Sequence, residues 1–272
     1  MNGPAPRYNV PGLERGLRML QLFDRAYQLL NPAEMARALA IPRSTAFRLA
    51  QTLELLGFLQ REGERYRIGA AILRLGFEYI ASLEIADLAR PVIERLRDDS
   101  GLSSQLVIRD GREVVVVLKA SPPTTFATNV TVGTRFPAHA TILGRVLLMD
   151  ASDETLGALY LEPALPAVSA KSPRTLAELK SLLQGDRARG YAVSESFFEQ
   201  GISAVAAPVR NENGAIVAAI SVTAQRPTLE PRELRDRLIR QVVAAAAELS
   251  HPLNYRPDVE VLMRSRHSGR SN

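Results

Sequence analysis

The sequence predicts an α+β protein of two domains, a small one built from helices and a β-hairpin and a larger one built from antiparallel strands and helices. Its 272 residues are enough for one small and one medium domain. Apolar residues recur every three or four positions up to Gly57, which is the spacing of amphipathic helices. Farther along, apolar runs flank Asp110–Gly111 and Asn213–Gly214, two dipeptides that favour tight turns between antiparallel strands.

The N-terminal part predicts three helices and a hairpin. Residues 13–29 carry an apolar stripe at helical spacing, and Asn31 followed by Pro32 is a typical helix start. A tight turn separates the second helix from a third, which ends at Gly57, and two short strands follow with Gly63 between them. The predicted elements are helices at 13–29, 32–40 and 43–56 and strands at 58–61 and 66–68, with inward residues Leu13, Leu17, Leu20 and Phe23 on the first helix and Ala46, Leu49, Leu53 and Leu56 on the third.

This order of helices and hairpin is that of a winged helix-turn-helix, a DNA-binding fold. Its second paired helix enters the major groove, and the hairpin, or wing, reaches the neighbouring backbone. Residues 1–69 carry ten arginines against six acidic residues, a balance that suits phosphate binding. The alternative is that these side chains are solvated or cap the helix. The predicted DNA contacts are Arg43, Ser44, Thr45, Phe47 and Arg48 on the recognition helix, Arg65 and Arg67 in the wing, and Arg15 and Arg18 on the first helix.

A further helix is predicted to join the two domains. Residues 70–83 have a broad apolar face and carry only Arg74 and Glu78 as charges. A connector this apolar is expected to pack against its counterpart in a dimer.

Antiparallel hairpins bracketed by helices are predicted for the larger domain. Its predicted helices lie at 85–101, 139–150, 153–161, 174–189 and 230–249, and its predicted strands at 104–109, 113–120, 125–132, 191–194, 203–209 and 215–223. The predicted organisation is an N-terminal arm (1–12), a winged helix-turn-helix (13–69), a linker and dimerisation helix (70–84), an effector domain (85–252) and a basic tail (253–272).

The composition excludes several kinds of site. The absence of cysteine rules out disulfides and thiolate chemistry, and three histidines are too few for a histidine-rich metal site. Motifs typical of nucleotide binding, serine hydrolysis and zinc proteolysis are missing. We therefore expect a protein that is not an enzyme and has no cofactor or metal. Without an apolar signal-peptide core or a run of roughly 20 apolar residues, it is expected to be cytoplasmic with no membrane partner.

Residues 132–149 are a candidate site for an acid. Pro137 ends an extended stretch, and a helix is predicted to begin near His139 or Ala140, so that backbone amides beside Thr141 are available to a carboxylate. The structural alternative is that His139 caps the helix or fills the core.

Residues 190–224 contain a second candidate. Strand alternation puts Ser221 and Thr223 on one face of their strand, and paired hydroxyls suit a polar ligand group. The alternative is that both hydroxyls bond to neighbouring strands.

Four segments together resemble the IclR family of bacterial transcription regulators. They are PRSTAFRL followed by TLELLGF, LARPVIERLRDDSG, VGTRFPAHATILGRVLL, and GYAVSES with GISAVAAPVRNENGAIVAAISVT. The resemblance runs from Leu13 to Leu249 in the order of the family. It implies a winged helix-turn-helix, a linker helix used in dimerisation, and a GAF-like effector domain with a curved antiparallel sheet flanked by helices. Members bind operator DNA as dimers or dimers of dimers and respond to small organic acids.

The resemblance also implies an effector pocket. Ser194 stands where the family often has an acidic residue, and Ala204 is smaller and more apolar than some counterparts. The segment GTRFPAHATILGRVLL most resembles the branch that controls catabolism of aromatic acids such as protocatechuate and hydroxybenzoate. The implied pocket residues are Ala140, Thr141, Ile142, Leu143, Ser194, Ala204, Ser221 and Thr223, with Phe126 and Phe136 beside the ring and His139 as a further donor.

The expected partners are double-stranded operator DNA, a small organic acid and further copies of the chain, in a homodimer or a dimer of dimers. RNA polymerase joins them if the protein activates transcription, and the sequence does not decide between repression and activation. Three alternatives stay open. The effector is a short aliphatic keto acid, the protein is a GAF-like enzyme with an accessory DNA-binding module, or it is an architectural DNA-binding protein without a ligand.

Overall fold

A computed structural model describes residues 9–24, 26–82, 84–123, 130–162 and 164–253. The chain divides into two compact units, residues 1–82 and residues 83–272. Within the described residues, no helix combines the length and the apolarity needed to cross a lipid bilayer.

The first unit is a winged helix-turn-helix followed by one more helix, as predicted. Its elements are α1 (Pro11–Leu20), α2 (Pro32–Ala38), α3 (Arg43–Leu55), β1 (Leu59–Glu62), β2 (Arg65–Ile68) and α4 (Ala71–Ser82). Strands β1 and β2 pair antiparallel, with Leu59 opposite Ile68 and Glu62 opposite Arg65. The core contains Met19, Met35 and Tyr66, each no more than 1% exposed.

The predicted first helix is too long. It ends at Leu20 instead of residue 29, because the carboxylate of Asp24 accepts hydrogen bonds of 2.7 Å from the backbone amides of Ala26 and Tyr27. Such local bonds hold the backbone in a turn and compete with helix formation. The chain then joins the hairpin, where the backbone groups of Leu30 and Tyr66 exchange hydrogen bonds of 3.0 and 2.8 Å.

Only the second half of the apolar stripe predicted for the first helix faces the core. Leu20 and Phe23 are partly buried and pack against the core, whereas Leu13 and Leu17 are 62% and 54% exposed. Met19, which was not among the predicted inward residues, is fully buried.

The start of α2 is formed as the sequence predicts. The side chain of Asn31 accepts a 2.9 Å hydrogen bond from the amide of Glu34, and the Glu34 carboxylate accepts one of 2.7 Å from the amide of Asn31. This reciprocal pair is a capping box, which satisfies two amides that a helix otherwise leaves without partners.

The buried face of α3 matches the prediction at Ala46, Leu49 and Leu53, which belong to the core or pack against it, and differs at Leu56. Ala46 and Ala50 are fully buried, Leu49 and Leu53 only partly so, and Leu56 is 58% exposed. Leu56 is the last, capping residue of the helix and is followed by Gly57, whose φ of +77° ends the helix in the left-handed conformation.

The second unit is a six-stranded antiparallel sheet covered by helices on both faces. Its elements are α5 (Glu84–Ser100), β3 (Ser103–Asp110), β4 (Glu113–Ala120), β5 (Arg135–Pro137), α6 (Ile142–Leu148), α7 (Asp153–Leu159), α8 (Leu176–Arg189), β6 (Ala192–Glu195), β7 (Ser203–Arg210), β8 (Ile216–Ala224) and α9 (Arg232–Ser250). The strand order is β5-β4-β3-β8-β7-β6. Helices α5 and α9 pack on one face of the sheet, and α6 with α8 covers the other.

The strand predicted at 125–132 lies mostly outside the described residues, which exclude 124–129 and with them Phe126. Of its described part, Val130 and Thr131 are not in a strand, and Val132 forms a turn with Gly133. The amide of Gly133 donates a 2.7 Å hydrogen bond to the carbonyl of Val116, and strand pairing with β4 begins at Arg135. Among the described residues, the strand that follows β4 is therefore the short β5.

The helix predicted at 139–150 begins later. Residues Ala138–Ala140 form a single 3₁₀ turn, and Thr141 is extended at φ −118° and ψ 152°. The hydroxyl of Thr141 accepts a 3.1 Å hydrogen bond from the amide of Gly144, so Thr141 is the N-cap and α6 begins at Ile142. A Cβ atom on Gly144 would lie 2.0 Å from the carbonyl oxygen of Ala138, so only glycine fits this close approach.

An ion pair is buried where α6 meets α8. Arg145 donates from its Nε and from one terminal nitrogen to the two carboxylate oxygens of Asp186, at 2.7 and 2.6 Å. The side chains are 5% and 0% exposed. Arg189, which is 47% exposed, also contacts Asp186. The guanidinium of Arg145 lies 5.0 Å from the ring centre of Phe197, so this ion pair also contacts the segment that follows β6.

Candidate functional sites

The first candidate site is the outer face of α3. Its first two turns present Arg43, Ser44, Phe47 and Arg48 to solvent, while Thr45 is half-buried. Phe47 is 41% exposed, which is unusual for a ring on a helix whose opposite face is the core. The structure therefore brings four of the five predicted recognition-helix residues to one surface and draws Thr45 toward the core.

Gln51 extends this surface and was missed by the sequence prediction. It is exposed, and it follows Phe47 by four residues, so both lie on one face of α3. The signal was the i, i+4 spacing from a predicted contact. A glutamine amide can donate and accept at once, which is what recognition of an adenine edge requires.

The predicted arginines fall into two groups. Arg43 and Arg48 on α3 and Arg15 on α1 are exposed and form no ion pair with any described residue. Three others are paired in the structure with carboxylates: Arg18 with Glu14 at 2.6 Å, Arg65 with Glu34 at 3.5 Å, and Arg67 with Glu62 at 2.8 Å.

Pairing changes what these arginines offer to DNA. The pKa of Glu14 is lowered by a hydrogen bond from Asn9 and by the charges of Arg18 and Arg15, so its carboxylate stays ionised beside them. A phosphate has to compete with such carboxylates for the guanidinium groups of Arg18, Arg65 and Arg67. On α3 it meets no such competitor within the described residues.

The second candidate site is a cavity of about 550 Å³ in the second unit. It lies between the sheet and the start of α6. One wall is apolar and includes the rings of Phe136 and Phe198, which pack edge to face with their centres 5.5 Å apart. The lining consists of Gly101, Leu102, Ser103, Gln105, Lys119, Val130, Thr134, Phe136, Thr141, Ile142, Leu143, Ser194, Phe198, Glu199, Ile202, Ala204, Ser221, Thr223 and Gln225.

The cavity gathers most of the predicted effector residues. Eight of them line it: Phe136, Thr141, Ile142, Leu143, Ser194, Ala204, Ser221 and Thr223. The structure does not bring His139 or Ala140 to this lining, and Phe126 is outside the described residues.

His139 lies in the core instead. It is 4% exposed, its Nε2 donates to the carbonyl oxygen of Pro166 at 2.9 Å, and its ring packs edge to face on Tyr160 at 5.9 Å. Burial also raises the pKa of the Tyr160 hydroxyl. Ala140 is fully buried in the 3₁₀ turn. The turn before α6 directs both side chains away from the cavity, and the prediction that His139 adds a donor there was therefore wrong.

Strand register explains the polar wall of the cavity. Gln105 on β3 lies opposite Lys119 on one side and opposite Ser221 on the other. In the next row, Thr223 lies between Ser103 and Ala204. Directly opposite side chains in antiparallel strands are about 5 Å apart, so each row can contact one small molecule.

The buried hydroxyl of Ser221 lacks a hydrogen-bond partner within the described part of the chain. Its side chain is fully buried, and its Oγ has no hydrogen-bond partner among the described residues. A buried hydroxyl without a partner costs free energy, about 1–3 kcal/mol. An oxygen or nitrogen atom of a bound molecule would remove that cost.

An exposed recognition helix in one unit and a cavity in the other define the class of the protein. It has the architecture of a helix-turn-helix transcription regulator with a separate C-terminal domain that encloses a cavity. The sequence matches the IclR helix-turn-helix domain over residues 12–63 and the bacterial transcriptional regulator IclR C-terminal domain over residues 77–251. The chain belongs to the IclR family, and it is a transcriptional regulator with a helix-turn-helix DNA-binding domain.

Several relatives are similar over almost the whole chain. The Pca regulon regulatory protein of Pseudomonas putida is 30% identical over 248 residues, covering 90% of this chain and 84% of its own. The HTH-type transcriptional regulator XynR of Escherichia coli is 30% identical over 251 residues, covering 90% of this chain and 98% of its own.

Solved structures agree with the fold. A transcriptional regulator from Rhodococcus sp. RHA1 superposes with a TM-score of 0.79 at 30% identity, covering 90% of this chain and 98% of its own. An IclR homologue from Microbacterium hydrocarbonoxydans, solved in complex with 4-hydroxybenzoate, superposes with a TM-score of 0.77 at 25% identity, covering 89% of this chain and 98% of its own.

Proposed function

We propose that the protein is a sequence-specific regulator that binds operator DNA through α3 and the wing, and whose affinity for DNA is set by a small aromatic carboxylic acid in the cavity. The observation that carries the proposal is the cavity itself, with an apolar wall containing two rings and a polar wall containing the unpartnered hydroxyl of Ser221.

Exposure and charge support DNA contact by α3. Arg43 and Arg48 are exposed cations, and Phe47 is an exposed ring that suits the methyl group of thymine. Arg15, Arg18, Arg65 and Arg67 would hold the flanking phosphates. Ser44 and Thr45 lie at the N-terminal end of the helix, from which side chains reach base edges in this fold.

Size and lining favour an aromatic effector over a short keto acid. Small-molecule sites are typically about 300–1,000 Å³, and at about 550 Å³ this cavity has room for a substituted benzene ring. Phe136 and Phe198 offer ring faces and edges for stacking. Two relatives point the same way: one is named as the regulator of the Pca regulon and another was solved with 4-hydroxybenzoate.

The proposed output is a change in operator affinity. An acid that binds the DNA-competent state more or less tightly than the other state shifts the population between them. The protein would act as a homodimer or a dimer of dimers through the apolar helix α4, on which Leu73 and Leu75 are 58% and 54% exposed. Activation would further require contact with RNA polymerase.

Calorimetric titration with a panel of acids tests the effector. The panel contains 4-hydroxybenzoate, protocatechuate, benzoate, pyruvate and glyoxylate. We expect measurable affinity for the aromatic acids and none for the two keto acids. Binding of pyruvate or glyoxylate alone would refute the aromatic assignment.

Footprinting on selected DNA tests the proposed binding to operator DNA. A discrete palindromic site supports a regulator, and indiscriminate coverage supports an architectural protein.

A further inference from the structure

Lys119 adds a cation to the cavity wall. It is one of only three lysines in a chain that otherwise uses arginine as its basic residue. Its ammonium donates a 2.7 Å hydrogen bond to the carbonyl oxygen of Val130, which fixes it beside the cavity. An ammonium carries three N–H donors, so this bond is compatible with contact to a ligand oxygen.

A β-bulge is what turns Lys119 to this side of the sheet. Val116 packs in the core beneath α6, and strict alternation along β4 would send Lys119 to the opposite face. The register shifts between Leu106 and Val107 of β3, so that β4 contains one additional residue between Val116 and Leu118. The bulge therefore brings Lys119 opposite Gln105, on the cavity side.

Lys119, Gln105 and Ser221 form a continuous polar row across β4, β3 and β8. The row has a cation at one end, an amide that donates and accepts in the middle, and the unpartnered buried hydroxyl at the other. Toward β7 the row continues as Ala206, which has no polar side-chain atom. Positive charge and hydrogen-bonding capacity are thus concentrated on three neighbouring strands.

We propose that Lys119 is the specificity-determining residue that binds the carboxylate of the effector, with Gln105 beside it and Ser221 accepting or donating to a second polar group such as a ring hydroxyl. This inference rests on the proposed function. It moves the anchor for the acid from the start of α6, where the backbone amide of Gly144 already donates to the Thr141 hydroxyl, to the sheet. It defines the effector class as a monocarboxylic acid that carries a further hydroxyl group.

The test compares a carboxylate with its neutral counterpart. Calorimetry measures the affinities of 4-hydroxybenzoate and 4-hydroxybenzamide for the wild-type full chain and for Lys119→Met, Lys119→Arg and the matched control Lys180→Met. Lys180 pairs with Asp153 and is absent from the cavity lining. We expect the wild type to prefer the acid, and Lys119→Met to weaken acid binding by about 10- to 100-fold while amide binding is little changed.

The ratio of acid affinity to amide affinity distinguishes the two possible roles of Lys119. It falls if Lys119 binds the carboxylate, and it stays the same if Lys119 only supports the fold. Lys119→Arg retains the cation and is expected to keep the preference for the acid, and Lys180→Met is expected to behave as wild type. If Lys119→Met does not fold, Lys119→Gln replaces it. An unchanged ratio of acid to amide affinity in the folded variant would overturn the role of Lys119 and leave the proposed function standing. Failure of every acid to bind the wild type would overturn both.

Discussion

Replacing Asp186 by asparagine preserves the shape of the side chain and removes the negative charge that faces Arg145. Both partners are almost completely buried, and two hydrogen bonds of 2.7 and 2.6 Å join them. The substitution leaves the guanidinium of Arg145 in the core without a counter-charge. Arg189, the other cation at Asp186, is 47% exposed and can be solvated by water, so the cost arises mainly at Arg145.

Removing one partner from a buried ion pair costs about 3–5 kcal/mol. For a domain of this size, about 2–4 °C of melting temperature is lost per kcal/mol, so the melting temperature should fall by about 6–20 °C. Removing an exposed pair costs only about 0–1 kcal/mol. The matched control is Asp236→Asn, which makes the same chemical change in the exposed pair with Arg232, whose charged atoms are 3.7 Å apart.

The assay is urea denaturation followed by circular dichroism, supported by scanning calorimetry. The double variant Arg145→Met/Asp186→Leu removes both charges and should be more stable than Asp186→Asn, because no buried charge is left unpaired. If Asp186→Asn lowers the free energy of unfolding no more than Asp236→Asn does, the buried ion pair of Arg145 and Asp186 does not stabilise the packing of α6 on α8 as its geometry indicates.

Three further predictions follow from local geometry. Gly144→Ala forces a Cβ atom against the carbonyl of Ala138, so the free energy of unfolding should fall by about 1–3 kcal/mol. Calorimetry should also show weaker acid binding. Unchanged stability would contradict the close approach of the two backbone segments. Asn31→Ala removes the capping box of α2 and should cost about 1 kcal/mol in urea denaturation, whereas no loss would mean that the cap contributes nothing. Arg48→Ala should weaken operator binding, measured by fluorescence anisotropy, and reduce its salt dependence by about one phosphate contact. Its effect should be larger than that of Arg67→Ala, because Arg67 is already paired with Glu62. A larger effect of Arg67→Ala would refute that reasoning.

Signals between residues close in sequence predicted the first unit well. The helix start at Asn31 and the glycine stop at Gly57 act over three or four residues, and both formed as expected. The length of α1 was wrong because Asp24 bonds to the backbone of its own turn, a competition that hydrophobic spacing does not register. Residues 21–24 and 26–29 therefore form turns and bends, and Leu30 then pairs with the hairpin.

The residues that line the cavity were predicted largely through resemblance, and the errors in that prediction have a common cause. Lys119 was missed because a bulge set by the pairing of β4 with β3 reverses its face, and such pairing joins residues far apart in sequence. His139 was assigned to the site because the helix was expected to begin there, whereas the cap at Thr141 starts α6 later and leaves His139 in the core. Both outcomes depend on backbone hydrogen bonds that a hydrophobic pattern does not specify.

The central claim is that one molecule in the cavity changes how tightly α3 holds DNA. The most direct measurement is a pair of binding isotherms for the full chain on an operator obtained by selection from random DNA, one without ligand and one with saturating 4-hydroxybenzoate. Couplings of this kind are about 1–3 kcal/mol, so the account predicts that the dissociation constant shifts by about 5- to 150-fold. Isotherms that coincide, at an acid concentration where calorimetry shows the cavity to be filled, would contradict it.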